Sequence, residues 1–208
     1  MYILVGIVDT LVIEPKHFGS DMKEIIEAEL NSRFSNKVVF KVGLFISLWD
    51  ILKIEESFIS PSDGSYNTVV HFRFVVFRPF IDEVLLGTVK SCSREGVSVS
   101  LSFFDDILIP ADKMRHPSRF DFDSSSWIWQ YSYENETADL PIEKNDTIRF
   151  RVVDEIWTDP NPDGGPANLA RQSSDSAIIS DASGKIAPYT IIASIVTDGL
   201  GLTCWWIN

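Results

Sequence analysis

The chain has 208 residues, 45% hydrophobic and 12% aromatic, which is enough for one large or two small domains with a sizeable core and excludes disorder of the whole chain. No apolar run reaches the roughly 18 to 20 residues that span a bilayer, and two cysteines are too few for a disulfide framework. The net charge of −12 is uneven, because residues 121–208 hold 14 acidic and 5 basic residues, and this acidic third is expected to repel nucleic acid.

The first part of the chain is predicted to form a βαββ unit. The apolar run at residues 2–13 lacks the basic start of a signal peptide and is interrupted by Asp9, so we expect a buried first strand. A helix follows, and its apolar residues recur at a spacing that predicts a core-facing stripe. These residues are Met22, Ile25, Ile26, Leu30 and Phe34.

Two long strands are predicted next, Lys37 to Trp49 and Tyr66 to Phe77, and in the first of them apolar residues at alternate positions share one face. The segment "KIEESFISPSDGSYN" between them is longer than the roughly two to five residues of most hairpin loops. Within it, Pro61, Asp63 and Gly64 predict a turn. Long loops on rigid supports often carry contacts, but from the residues alone an idle solvated loop is an equally good interpretation.

The second part of the chain is predicted to be an antiparallel barrel, with the boundary at residues 78–82, where Pro79 ends a strand. Many short, aromatic-rich strands favour a barrel over a parallel sheet. We expect them at Glu83–Ser91, Val97–Phe103, Ile107–Ile109, Ser126–Tyr133, Thr147–Trp157, Tyr189–Thr197 and Leu202–Trp206. Residues 158–187 are rich in Pro, Gly, Ser and Asp, which predicts a disordered insertion.

The stretch from Gly87 to Pro110 is typical of the first strands of OB-type barrels, many of which bind single-stranded nucleic acid. Its outward positions Ser98 and Ser100 carry hydroxyls where strong binders carry aromatic or basic side chains. Lys90 and Arg94 add only modest attraction for phosphate. These four residues are candidate RNA contacts, and the binding they support is expected to be weak and salt-sensitive.

A second candidate surface is an aromatic stripe on one predicted strand, formed by Trp127, Trp129, Tyr131 and Tyr133. Such a stripe could stack single-stranded bases, with roughly 1–3 kcal/mol per base. It could also pack the barrel or cover the surface between the domains, and we favour this structural role over base stacking.

No catalytic or cofactor site is predicted. The three histidines are isolated, so no cluster has the spacing of a metal site. Asp105 and Asp106 are paired carboxylates, but successive strand residues point to opposite faces, so a turn or loop explains them better than acid–base chemistry. The sequence "GLG" at residues 199–201 lacks the third glycine and the following helix of a dinucleotide fingerprint. We therefore expect no enzyme activity, cofactor or metal.

Taken as a whole, the chain resembles the larger stalk subunit of eukaryotic RNA polymerases, a family that has an archaeal counterpart. The resemblance is carried, in chain order, by "VDT", "NKVVFKVGLFISLWDI", "PSDGS", "VHFRFVVFRPF", "DEVLLGTVKSCSREGVSVSL" and "IRFRVVDE". Among the paralogues the chain is most similar to the RNA polymerase III version, through "SFFDDILIP", "SSWIWQY" and the ending "GLGLTCWW". Only residues 158–187 fall outside the resemblance.

The resemblance implies an α+β chain with a tip domain at residues 1–80 and an OB-fold barrel of the ribosomal S-one type at residues 81–208. It also implies a non-catalytic nuclear subunit of RNA polymerase III that supports transcription of small RNA genes (tRNA and 5S rRNA). The implied partners are a smaller helical stalk subunit, the polymerase core, initiation factors and, weakly, nascent RNA, but no membrane. The tip-loop residues expected to dock on the core are Ile59, Pro61, Asp63 and Gly64.

Two alternatives stay open at this point. One is a free-standing OB-fold RNA-binding protein of RNA processing or translation, which would be a monomer with useful RNA affinity. The other is the stalk subunit of a different polymerase. Association with large polymerase subunits separates the stalk interpretation from the free-standing protein.

Overall fold

The computed structural model describes residues 1–19, 21–133, 136–158 and 187–206. Contacts divide the chain into two units, Met1–Pro79 and Phe80–Asn208. The chain is mostly β, with one α-helix and a β-barrel in the described ranges. The insertion predicted at residues 158–187 lies outside the described residues except for its two end positions. Among the described residues, no helix combines the length and apolar character needed to cross a membrane.

The first unit is a five-stranded antiparallel sheet with one α-helix. The strands follow the order β1-β5-β3-β2, and the short β4 pairs with the start of β5. A 3-10 helix, Pro15–His17, lies between β1 and α1. The elements are β1 (Tyr2–Ile13), α1 (Met22–Phe34), β2 (Lys37–Val39), β3 (Gly43–Ile54), β4 (Phe58–Ile59) and β5 (Tyr66–Phe77).

The core of this unit lies between α1 and one face of the sheet. Ile26 and Leu30 are fully buried, and the other three residues of the predicted stripe pack against the same core, so the stripe is confirmed. Phe34 at the end of the helix lies 5.6–6.0 Å, centroid to centroid, from three phenylalanine rings of the sheet. The helix begins after Asp21, whose carboxylate accepts a hydrogen bond from the Lys23 amide at 3.0 Å.

The first strand is present, but the expectation that it is buried is wrong. β1 lies at the edge of the sheet, next to β5, and its exposure alternates along the strand. One side packs on the core, where Leu11 and Ile13 are buried. The other side is also apolar but exposed, and because both sides are apolar the sequence has no alternation to reveal a half-exposed strand.

The single strand predicted from Lys37 to Trp49 is two strands. β2 and β3 form a hairpin whose turn at Phe40–Val42 is closed by a hydrogen bond from the Val42 amide to the Val39 carbonyl at 3.0 Å. Further along, β3 slips one residue against β5 at three places, and each bulge breaks the alternation that the sequence suggests. The extra residues are Ile46, Trp49 and Leu52.

The second unit contains a closed barrel. Neighbouring strands pair in the order β8-β7-β6-β12-β13, and β13 closes the circle on β8. All of these pairings are antiparallel except β8 with β13. The strands are β6 (Val84–Ser93), β7 (Gly96–Ser100), β8 (Ile107–Pro110), β12 (Thr147–Trp157) and β13 (Tyr189–Ser194); β14 (Gly201–Leu202) extends the sheet beside β12.

Inward side chains fill the barrel and are almost completely buried, among them Val97, Val99, Ile107, Ile109, Phe150, Tyr189 and Ile191. The turn from β6 into β7 needs a glycine, since a Cβ atom at Gly96 would lie 2.1 Å from the Ile109 carbonyl oxygen. β7 ends at Ser100, whereas we predicted a strand to Phe103. Ser102 has a φ of +71°, and this reversal buries Phe104 instead of Phe103.

A three-stranded antiparallel sheet was only partly predicted. β10 (Ser126–Tyr133) lies between β9 (Ser118–Asp121) and β11 (Glu136–Ile142), and the sequence indicated only β10. β11 was missed because it contains Pro141, which lacks the N–H of a central strand but fits here because β11 is an edge strand.

The strands that flank residues 159–186 are paired with each other. Trp157 at the end of β12 faces Tyr189 at the start of β13, and the Thr158 amide donates to the Pro188 carbonyl at 3.0 Å. The last predicted strand is wrong beyond Leu202, because residues Thr203–Trp206 form a 3-10 helix.

Candidate functional site

The loop between β3 and β5 ends in a hydrogen-bonded turn. The Ser60 amide donates to the Ser65 carbonyl at 2.8 Å, and the Gly64 amide donates to the Ser60 carbonyl at 2.9 Å. Gly64 has a φ of +69°, in the left-handed region that favours glycine. The structure therefore brings Pro61, Asp63 and Gly64 together in one turn, next to the two residues of β4.

Asp63 holds this turn through its side chain. Its Oδ1 atom accepts from the Ser65 amide at 3.1 Å and from the Ser65 hydroxyl at 2.8 Å. The hydrogen bond from the Ser65 backbone N–H is the main cause of a pKa for Asp63 below the ordinary value of an aspartate. An ionised carboxylate therefore bonds a buried serine, which makes the turn rigid rather than floppy.

The base of the loop is fixed at Glu55. Its amide donates to the Val69 carbonyl at 2.9 Å, and its carboxylate lies 2.9 Å from His71 Nε2 and 3.5 Å from Lys53 Nζ. The hydrogen bond with His71 is the main cause of the lowered pKa of Glu55. His71 therefore has a structural partner in the first unit.

Large apolar side chains are exposed beside the turn. Phe58 and Ile59 of β4 are 65% and 61% exposed, although β4 is paired with β5. Exposed apolar residues next to a rigid turn are typical of a contact surface rather than of a solvated loop.

The sheet of the first unit has a second exposed apolar surface, which we call the open face. On β1 it comprises Tyr2, Leu4, Val8 and Val12, all about half exposed, and the register places the last three beside half-buried residues of β5. Two of the three bulge residues of β3, Trp49 and Leu52, are exposed as well. Arg73 on β5 donates to both carboxylate oxygens of Asp50, at 2.8 and 2.5 Å, so the charges on this part of the sheet neutralise each other.

On the barrel, two of the four candidate RNA contacts meet on one carboxylate. Ser100 Oγ donates to Asp105 Oδ1 at 2.5 Å, and Lys90 Nζ donates to Asp105 Oδ2 at 3.1 Å. The bond from Ser100 and then that from Lys90 lower the pKa of Asp105. Ser98 lies two residues before Ser100 on β7 and is half-buried, while Arg94 is exposed in the turn between β6 and β7.

The contact of Asp105 with Lys90 and Ser100 is the feature of this surface that sequence reasoning missed. Asp105 was interpreted correctly as part of a loop, but the sequence does not reveal that this loop folds back on the outer face of β6 and β7. Lys90 reaches it because it is the extra residue at a bulge between Val89 and Ser91. A lysine, a serine and an aspartate within 16 residues are too common a set to have identified the contact.

Two residues of the aromatic stripe pack the fold, as we favoured. Trp127 and Trp129 are buried; Trp127 Nε1 donates to the Ser93 carbonyl at 2.8 Å, and the Trp129 ring lies 4.9 Å from that of Trp205. Tyr131 is partly exposed, and the side chain of Tyr133 lies outside the described part of the chain. Within the described ranges, no group of three or more His, Cys, Asp or Glu residues could hold a metal ion.

Comparison with known proteins assigns the family. The family described as "RNA polymerase III subunit Rpc25" matches residues 83–206, more than half of the chain. The chain belongs to this Rpc25 family. Its first unit also matches, over residues 8–64, the "SHS2 domain found in N terminus of Rpb7p/Rpc25p/MJ0397".

Relatives of this Rpc25 family member agree with the assignment. A Bos taurus protein named DNA-directed RNA polymerase III subunit RPC8 is 46% identical over 208 residues, covering 100% of both chains. A Schizosaccharomyces pombe protein of the same name is 39% identical over 209 residues, 99% of this chain and 100% of the relative. The Saccharomyces cerevisiae polymerase II subunit RPB7 is 33% identical over 108 residues, 49% of this chain and 63% of the relative. The resemblance to polymerase III stalk subunits is therefore confirmed.

Proposed function

We propose that this chain is the larger stalk subunit of RNA polymerase III and that it docks on the polymerase core through the tip loop. It acts in the nucleus in transcription of small RNA genes, paired with a smaller helical stalk subunit and in contact with initiation factors. It has no catalytic residues of its own and takes part in the enzyme as a subunit. The observation that carries the docking proposal is the Asp63-held turn with two large exposed apolar side chains beside it.

The tip loop fits docking because its conformation is fixed before contact. Binding costs free energy for each loop residue and side chain that must be ordered, and a preformed turn reduces that cost. Pro61 fixes one backbone angle, Gly64 permits the positive φ that the turn needs, and Asp63 adds two hydrogen bonds. Ile59 and its neighbour Phe58 then supply the apolar surface that an anchor needs.

The open face suits the smaller stalk subunit. Half-exposed apolar residues on an edge strand leave apolar area in water, and monomeric proteins usually cover or charge such edges. A permanent partner removes this exposed area from water. We therefore assign the open face to the small subunit and the tip loop to the core.

The barrel suits a weak contact with nascent RNA. Its five strands close in the arrangement of an OB-fold, which supports the S-one assignment. The outer face of β6 and β7 and the turn between them carry polar side chains at the proposed contacts, which are Lys90, Arg94, Ser98 and Ser100. Because the polymerase holds the transcript nearby, an effective concentration of about a millimolar makes weak binding useful.

The docking proposal is tested by affinity purification of the tagged full chain from cells, followed by mass spectrometry. The wild type should recover the large polymerase III subunits together with the small stalk subunit. Gly64→Val should keep the small subunit and lose the core, because a β-branched residue is strained at a φ of +69°. The matched control is Gly19→Val, since Gly19 has no neighbour within 4 Å of an added Cβ atom and no positive φ.

The outcomes separate the alternatives. Wild-type chain that recovers RNA-processing or translation factors, without large polymerase subunits, would refute the stalk assignment. Recovery of the core by Gly64→Val and also by a deletion of residues 57–65 would refute the docking role of the loop. RNA contact is tested separately by crosslinking of the nascent transcript in assembled polymerase, which Lys90→Gln and Arg94→Gln should each reduce.

A further inference from the structure

We propose that Asp105 occupies the position of an RNA phosphate on the outer face of β6 and β7 and thereby keeps the RNA affinity of the barrel low. The inference rests on the proposed RNA contact and names the residue that sets its strength. The two oxygens of Asp105 take the two donors, Lys90 Nζ and Ser100 Oγ, that a phosphodiester would use at this place. The barrel therefore binds its own carboxylate in place of the ligand.

The donors on this face are already engaged. A serine hydroxyl has one proton, and that of Ser100 goes to Asp105, while its oxygen accepts from the Ser102 amide at 3.1 Å. Ser100 has no second proton for a phosphate. The ammonium group of Lys90 has its positive charge balanced by the carboxylate 3.1 Å away, which weakens its attraction for a second anion.

The contact is accessible to competition. The side chains of Lys90 and Asp105 are each 49% exposed, so RNA can reach the pair without unfolding the barrel. The Ser100 and Lys90 hydrogen bonds lower the pKa of Asp105, so the carboxylate stays ionised at neutral pH. A phosphate must therefore displace the carboxylate of Asp105. This carboxylate belongs to the same chain as the two donors, so it returns to them as soon as the phosphate leaves.

The test measures RNA binding by Asp105→Asn in the full chain co-purified with its small stalk subunit. The probe is a fluorescein-labelled oligouridine of 12 nucleotides, and fluorescence polarisation is recorded over a series of salt concentrations. Asparagine keeps the shape and one acceptor for Ser100 but loses the charge that holds Lys90. We expect affinity to rise about fivefold at low salt, and the slope of log K against log salt to steepen by about 0.7, the value for one additional phosphate contact on a single strand.

Two further variants separate this local effect from a general loss of negative charge. Asp139→Asn is the matched control, because Asp139 is also 49% exposed and its carboxylate lies 2.9 Å from a cation, Arg119. It should leave both the affinity and the salt slope unchanged. In a Lys90→Gln background, Asp105→Asn should raise the affinity less and leave the salt slope unchanged, because the released cation is absent.

Three results would overturn the inference. The first is an equal gain in RNA affinity from Asp139→Asn, and the second is a full gain from Asp105→Asn in the Lys90→Gln background. The third is no gain in RNA affinity from Asp105→Asn in the wild-type background. Asp105→Ala removes the same charge without the amide and must give the same direction, so a folding defect in one variant does not decide the result. Failure of the RNA contact itself has a different signature: Lys90→Gln and Arg94→Gln would then leave transcript crosslinking in assembled polymerase unchanged.

Discussion

Trp129 is the centre of a cluster that we expect to hold the second unit together rather than to bind bases. Its ring is only 6% exposed and lies 4.9 Å from the ring of Trp205, in the C-terminal 3-10 helix. The guanidinium carbon of Arg115 lies 4.6 Å from the centroid of the Trp129 ring, and Arg115 also forms an ion pair with Asp198. Replacement by alanine removes the contact that joins β10 to the end of the chain.

The expected loss of stability follows from these contacts. Truncating a buried tryptophan to alanine costs about 3–5 kcal/mol. Within that total, the aromatic pair with Trp205 accounts for about 1 kcal/mol, and the cation–π contact with Arg115 for about 1 kcal/mol. For a unit of this length each kcal/mol shifts the melting temperature by roughly 3–5 °C, so we expect a decrease of about 10–25 °C.

The assay is thermal unfolding followed by near-ultraviolet circular dichroism, with oligouridine binding measured below the transition. The control is Tyr131→Ala on the same strand, because Tyr131 is 41% exposed and its removal should cost about 1 kcal/mol or less. If Trp129→Ala melted within about 3 °C of the wild type, which corresponds to less than 1 kcal/mol, the packing argument would be wrong. A tenfold loss of RNA affinity in the folded Trp129 variant would instead support base stacking.

Three further predictions concern other parts of the chain. Gly96→Ala should lower the melting temperature by about 10 °C or more, because its Cβ atom would lie 2.1 Å from the Ile109 carbonyl oxygen and push β7 away from β8. In a pH titration by NMR, the Ser65 amide proton should shift with a midpoint below the ordinary pKa of an aspartate, because the pKa of Asp63 is lowered in the folded chain. The ionised Asp63 stabilises the turn at pH values above its pKa in the unfolded chain, and this stabilisation is lost as the pH falls through its pKa in the folded chain. Replacing residues 159–186 by a short Gly/Ser link should leave the melting temperature unchanged, since the flanking strands are already paired.

Each of these predictions has a control and an opposing result. Gly6→Ala matches Gly96→Ala, since no atom lies within 4 Å of a Cβ atom at Gly6, and equal melting temperatures for the two variants would contradict the close-approach argument. Asp63→Asn should abolish the titration at Ser65; a shift that persists in that variant would assign it to another group. A large decrease in melting temperature for the linker variant would mean that residues 159–186 contribute to folding.

The parts of the fold that the sequence predicted are those with an uninterrupted period. The stripe on α1 runs over the 13 residues of the helix, and buried residues alternate along β5; both elements lie where they were expected. The predicted alternation on β3 failed because three one-residue bulges against β5 change the side of the sheet on which its side chains lie. Bulges cannot be recognised from the composition of the sequence. The exposure of β1 also could not be predicted, because position at a sheet edge depends on the pairing of the whole chain.

One part of the candidate site could be predicted from the sequence and another part could not. The turn at Pro61–Gly64 was predictable because proline, aspartate and glycine each restrict or permit specific backbone angles locally. The occupation of Lys90 and Ser100 by Asp105 was not, since it depends on the bulge at Lys90 and on the reversal at Ser102, two irregularities in different segments. Ser98 and Ser100 were correctly described as outward-facing, but the sequence does not show which side chain bonds Ser100, because the tertiary structure brings that partner to it.

An RNA-type barrel on an acidic chain is consistent with a subunit that must release its ligand. At an effective concentration of about a millimolar, a site with a Kd of about 1 mM is half occupied. A site a thousand times tighter would be almost always occupied, and it would resist the movement of a transcript that advances with every nucleotide added. The hydrogen bonds that Asp105 accepts from Lys90 and Ser100 weaken RNA binding in the proposed role, and the net charge of −12 weakens it further. In the proposed role, the low affinity is therefore a requirement of a moving ligand and not a defect of the barrel.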